Sequence, residues 1–165
     1  MLRLSKKVDY GLILLSELHG GASPLAVSAS GLVDGSSQSA REMAERHQLP
    51  LPMVANILKA LTGAGILAST RGSQGGYTLA RPASQISLAD VVKALEGPLS
   101  LADCTDEETR CEHQPGCPTH DPIQRIHRRF ELFMAGYMLD EIFGCPTPRS
   151  FQVSHRFPLD KVRAP

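Results

Sequence analysis

The stretch from Ser39 to Leu79 constrains the fold of this chain more than any other. Ser39 and Glu42 form a capping-box pattern that opens a short helix through Met43 and Ala44 to about His47. Gln48, Leu49 and Pro50 make a turn, and Pro52, at a tolerated first helical position, opens another helix. Val54, Leu58 and Leu61 recur at helical spacing, and Gly65 is placed to stop the run. Ile66 to Arg71 then reads as a strand, Gly72 to Gly76 as a turn and Tyr77 to Leu79 as the returning strand. Two short helices across a tight turn, followed by a hairpin, is the order of a winged helix-turn-helix. The expected fold is mainly α with a small β-wing.

The flanks add helices. Ser5 caps a first helix to about His19, with Val8, Leu12, Leu15 and Leu18 on one face. Gly20 to Ser37 is built of Gly, Ser, Ala and Pro and reads as a flexible loop inserted in the domain. Beyond the wing, Ser87 and Asp90 cap a helix through Val91, Val92 and Leu95 that Gly97-Pro98 ends. Asp121 and Pro122 supply a cap and first position for a long helix whose Ile123, Ile126, Phe130, Phe133 and Tyr137 repeat every three to four residues. A stripe of this kind predicts a partner helix and so a homodimer seam. From Cys145 the Pro-rich, basic tail is expected to be disordered.

Composition narrows the class. With 165 residues, 42% hydrophobic and 21% charged, the chain can bury a core, and no apolar run approaches a membrane span. The opening residues do not form a secretory signal, so the expected compartment is the cytoplasm, where four cysteines serve as ligands or thiols. The net charge is zero, but residues 1–81 carry +3, 82–144 carry −6 and 145–165 carry +3. A basic first half beside an acidic second half permits one oriented contact with nucleic acid. No Gly-x-Ser-x-Gly elbow, HExxH or dinucleotide fingerprint is present, so neither an enzyme nor a small-molecule substrate is expected.

Two constellations carry chemistry. On the third helix Pro52, Met53, Asn56 and Lys59 share an outer face, where Asn56 can read an adenine edge and Lys59 can meet a phosphate. Arg71 stands at the base of the wing, suited to a narrow minor groove. The second constellation is Cys104-x6-Cys111-x5-Cys117-x2-His120, three thiolates and an imidazole between Gly- and Pro-rich turns. Gaps of six and five residues are wider than zinc knuckles and suit a cluster of several irons, with structural zinc and free thiols as the competing readings.

Together, the helix-turn-helix, the run Arg71-Gly72-Ser73-Gln74-Gly75-Gly76-Tyr77 and the Cys-x6-Cys-x5-Cys-x2-His spacing resemble the Rrf2 family of bacterial winged-helix regulators. LRLSKKVDYGL, LPMVANILKALTGAGIL and LEGPLSLADC resemble it too, so the likeness covers about residues 1–144. It implies a homodimer on double-stranded DNA and an iron–sulfur cluster held by Cys104, Cys111 and Cys117. Two kinds of member differ at the fourth ligand. Assembly regulators of the Isc type carry a two-iron cluster and a histidine that matches His120, the favoured reading. Nitric-oxide-sensing repressors carry a four-iron cluster and a partner-subunit carboxylate that matches Asp9. The expected division is a DNA-binding domain at 1–81 with its insert at 20–37, a cluster loop and dimerisation helix at 82–144, and the tail. The expected function is cluster-responsive control of iron–sulfur assembly genes, with the nitric-oxide sensor and a zinc or redox-thiol repressor as alternatives.

Overall fold

The computed structural model describes residues 4–20, 22–27, 33–35, 37–72, 75–106, 111–113 and 115–144. Helix α1 spans Lys6–Gly20, and Ser5 caps it: its hydroxyl accepts the amides of Lys7 and Val8 at 3.2 and 3.3 Å. Strands β1 (Ala22–Val27) and β2 (Val33–Gly35) follow, then α2 (Ala40–Arg46), α3 (Leu51–Gly63), β3 (Leu67–Thr70) and β4 (Gly76–Leu79). Helix α4 (Leu88–Glu96), α5 (His120–Ala135) and α6 (Leu139–Phe143) complete the order, with single 3-10 turns at Ala83–Gln85 and Asp103–Thr105. The result is a mainly helical winged helix, as the sequence predicts.

Both expected capping boxes form. Ser39 Oγ accepts the Glu42 amide at 3.2 Å while Glu42 takes the Ser39 amide at 2.9 Å, and Ser87 with Asp90 does the same at 3.1 and 3.0 Å. Between α2 and α3 the chain reverses through Gln48, at φ +53. Gly65 follows α3 at φ +69, and the Gly65 and Ile66 amides close on the carbonyls of Thr62 and Leu61. The wing pairs antiparallel, Leu67 with Leu79 through Thr70 with Gly76. Ser73 and Gln74, at its tip, lie outside the described residues.

The core joins both halves of the chain. Leu14 and Leu15 of α1, Leu58 and Leu61 of α3, Ile66, Ile86 and Val91 are buried in one cluster with Met134 of α5 and Leu139 of α6. At about 25 cal/mol per Å² of apolar area removed from water, that burial is the main term holding the wing, helices and C-terminal elements together.

Three expectations need correction. The Gly20 to Ser37 segment, read as a loop, carries the antiparallel pair β1–β2, with Ala22 opposite Gly35 and Val27 opposite Val33. Its end is fastened to the wing: Tyr77 donates to the Gln38 carbonyl at 2.8 Å and Gln38 to that of Tyr77 at 3.2 Å. The long helix starts at His120, with Thr119 as its cap residue, rather than behind Asp121. It also stops at Ala135, so Tyr137 is not part of it. The Tyr137 carbonyl instead takes the Leu88 amide at 2.8 Å and Met138 bridges to Ser87, which turns the chain into α6. The proposed tail, Cys145 included, lies outside the described residues.

Candidate DNA-reading surface and cysteine loop

Helix α3 buries Val54, Ile57, Leu58 and Leu61, which leaves Pro52, Met53, Asn56 and Lys59 exposed along the opposite side. Pro52, Met53 and Asn56 border one cleft together with Pro50 and, across it, Lys6 and Lys7 at the start of α1. The sequence reading did not place the two lysines beside this cleft, although the Lys-Lys pair opening an amphipathic helix was the available signal. Lys59 lies on the same side of α3 and Arg71 is exposed at the wing base. These side chains offer an amide for a base edge and cations for phosphates.

The cysteine loop is anchored from both ends. At its start, the Thr105 hydroxyl accepts the Leu101 and Ala102 amides at 3.0 and 3.1 Å, and Gln124 Nε2 on α5 donates to the Cys104 carbonyl. After it, the His120 amide reaches the Cys117 carbonyl at 3.3 Å. Cys104, Cys111 and Cys117 are free and half-buried. The Thr119 hydroxyl stands 3.2 Å from Cys117 Sγ; that hydrogen bond, then the Thr119 and His120 amides, hold the Cys117 thiol below its ordinary range.

Among the described residues no three of His, Cys, Asp and Glu stand together closely enough to hold a metal ion. The donors nevertheless fit a sulfur-rich metal centre. Three thiols form no disulfide, the Cys117 thiol is lowered below its ordinary range, and the Nδ1 atom of His120 is buried with no hydrogen-bond partner among the described residues. Asp9, the other candidate for the fourth position, lies exposed in the first turn of α1. His127, which the sequence reading passed over, is 8% exposed and borders the same polar hollow as Cys104, with no partner for its own Nδ1 among the described residues and Nε2 3.5 Å from Glu131.

On α5, Ile126 and Phe133 are 55% and 39% exposed, while Ile123 and Phe130 are half-buried. The Phe130 and Phe133 rings stack at 6.3 Å, and Tyr137 extends the ladder at 4.9 Å although it is outside the helix. Phe130, Phe133, Leu4, Val8, Val92 and Leu99 line a groove of mainly apolar character. No helix among the described residues is long and apolar enough to cross a membrane.

Comparison with known proteins places these features. The profile of the Rrf2 family, described as an iron-dependent transcriptional regulator, matches residues 4–144. A protein of Neisseria meningitidis serogroup A named as an HTH-type transcriptional regulator is 27% identical over 141 residues, covering 86% of this chain and 87% of that one. Among solved structures, the global cysteine regulator CymR of B. subtilis superposes with a TM-score of 0.64 at 24% identity, over 87% of this chain and 98% of that one. The IscR of T. potens gives 0.61 at 24% identity, over 87% of each chain. The winged helix, the cysteine loop and the match across α1 to α6 thus converge: the chain belongs to the Rrf2 family and is a DNA-binding transcriptional regulator, not an enzyme.

Proposed function

We propose that this regulator is a cytoplasmic homodimer whose affinity for operator DNA is set by an iron–sulfur cluster, and that it controls genes of cluster assembly. Residues 1–81 would read DNA through Pro52, Met53, Asn56, Lys59 and Arg71, while 82–144 would sense and dimerise through Ile123, Ile126, Phe130, Phe133 and Tyr137. The observation that carries the sensing half is the donor set beside α5: three free thiols, with the Cys117 thiol lowered by its Thr119 hydrogen bond and His120 Nδ1 without a partner among the described residues. Cys104, Cys111 and Cys117 would be three ligands and His120 the fourth, the set that suits two irons. A bound cluster supplies covalent ties among these side chains. The chain's own part is to hold the loop ends, through Gln124 at Cys104 and the Cys117–His120 turn, so that a change at the loop reaches α5, which packs on α4. Coupling of about 1–3 kcal/mol would change DNA affinity about 5- to 150-fold. The name of the T. potens relative and the family's iron-dependent description support this reading.

Visible absorption, iron and acid-labile sulfide of protein isolated without oxygen test it. The expected outcome is a two-iron spectrum lost in Cys117→Ser and His120→Ala and kept in Asp9→Ala. Loss in Asp9→Ala with survival in His120→Ala would transfer the fourth position to the partner's Asp9 and favour a four-iron nitric-oxide sensor. A colourless protein without iron or sulfide after reconstitution would overturn the cluster. The free thiols and the likeness to CymR, a cysteine regulator, then favour the redox-thiol repressor, with zinc content separating off the zinc form.

A further inference from the structure

The start of α1 and the end of α4 are tied together by side chains. Ser5 Oγ donates to Glu96 Oε1 at 2.6 Å, and Lys7 Nζ donates to the Leu95 carbonyl. The same Ser5 hydroxyl accepts the Lys7 and Val8 amides, so its one donor and both acceptor positions are used. One group therefore caps α1 and grips α4. The Leu95 side chain packs on the α1 backbone behind it: a Cβ on Gly11 would stand 2.5 Å from Leu95 Cδ1. Ser5, Lys7 and Glu96 also border the cleft whose far wall is Pro52, Met53 and Asn56 of α3. Immediately past Glu96 the chain leaves the helix at Gly97, φ +89, and runs to Cys104.

We propose that Glu96 and Ser5 are positioning residues for the DNA-reading end of α3, a latch through which the segment leading to the cysteine loop sets how that end meets its operator. The structure holds the latch made, and coupling to the loop requires that loop state shift it toward a broken form. Its dependence on loop state rests on the cluster reading above; the positioning does not.

The sign of the effect separates the latch from plain electrostatics. Glu96 is an anion beside a surface that meets a polyanion, so charge alone predicts that removing it tightens binding to every duplex. The latch predicts weaker binding to the operator. The test titrates the full chain against a duplex that the wild-type chain selects from a random pool, and against a scrambled duplex of the same length. Glu96→Ala is expected to weaken binding to the selected duplex about threefold to tenfold, the scale of one ordinary net hydrogen bond, and not to weaken scrambled binding. Glu96→Gln keeps an acceptor for Ser5 and stays within about twofold of wild type, as does Ser5→Thr, which keeps the hydroxyl. Ser5→Ala with Glu96→Ala is no weaker than the weaker single variant. Tightening in both Glu96 variants, or losses that add in the double variant, overturns the latch. Because Ser5→Ala also removes a helix cap, Glu96→Ala against Glu96→Gln decides if that variant unfolds.

For iron-loaded against chelator-treated protein, the ratio of affinities for the selected duplex should fall toward one in Glu96→Ala while iron content and spectrum stay at wild-type values. A ratio unchanged from wild type overturns the coupling. If the wild-type chain takes up no iron, the cluster reading fails and the metal-free titrations still decide the positioning.

Discussion

His47 Nε2 stands 2.6 Å from Glu17 Oε2, and this contact joins the last residue before the helix-turn-helix reversal to the last turn of α1. Glu17 is 9% exposed at its side chain and its second oxygen takes Arg46, whose guanidinium also reaches Gln38 at 3.1 Å. One carboxylate thus gathers the end of α2 and the segment that bridges to the wing. Glu17→Ala removes the carboxylate that Arg46 and His47 share and is expected to cost about 1–3 kcal/mol in urea unfolding. Arg46→Ala, at a half-exposed side chain, should cost less than about 1 kcal/mol. Equal costs would show that the carboxylate is not the centre of the network.

The Gln38–Tyr77 bridge depends on a glycine. A Cβ on Gly76 would lie 2.5 Å from Ser37 Oγ and 2.6 Å from the Gln38 carbonyl, so backbone would have to move. Gly76→Ala is expected to cost more than about 1 kcal/mol. Amide exchange at Tyr77, whose amide donates to the Gln38 carbonyl, is expected to be faster in Gly76→Ala than in the wild type, and unchanged protection would mean that the bridge survives without the close approach.

Ser39 and Glu42 carry a pH dependence. The Ser39 amide, then its hydroxyl, holds the Glu42 carboxyl below the ordinary range. A carboxylate with a lowered folded pKa stabilises fully above its unfolded value, and the contribution disappears as pH falls through the folded value. Urea midpoints at pH 7 and pH 3 should therefore differ less in Glu42→Gln than in the wild type. Ser39→Ala should cost about 1 kcal/mol at pH 7. An identical pH response in the Gln variant would remove Glu42 from the acid-sensitive set.

Asn56 and Lys59 should separate by kind of effect. Lys59→Ala is expected to weaken selected and scrambled duplexes alike and to reduce the salt slope by about one. Asn56→Ala should cost about 1–3 kcal/mol on the selected duplex and leave scrambled binding near wild type. A uniform loss in both variants would mean that this face of α3 meets only phosphates.

Phe133 tests the dimer. Burying a 39% exposed ring against a partner helix is favourable, whereas a carboxylate there must be desolvated. Phe133→Glu should raise the dimer dissociation constant about tenfold or more in sedimentation equilibrium, with circular dichroism unchanged. A dimer of undiminished affinity would move the interface off α5.

Local chemistry was readable directly from the residue order. The boxes Ser39/Glu42 and Ser87/Asp90 close over three residues, Gly65 ends α3 from the next turn, and the periodic Val54, Leu58 and Leu61 are all buried. The donors of the cysteine loop and the exposed side of α3 were visible for the same reason, since spacing on one segment says which side chains share a face. What spacing could not supply was closure between distant segments. The β1–β2 pair is anchored by a wing strand, α5 ends where the Tyr137 carbonyl meets Leu88, and Ser5 finds Glu96 across 91 positions. Such contacts are made because burying one continuous core brings α1, α4 and α5 together, and that free energy depends on the packed chain as a whole. Residue order therefore named the parts of a DNA-reading regulator with a thiol loop, and packing set which parts touch.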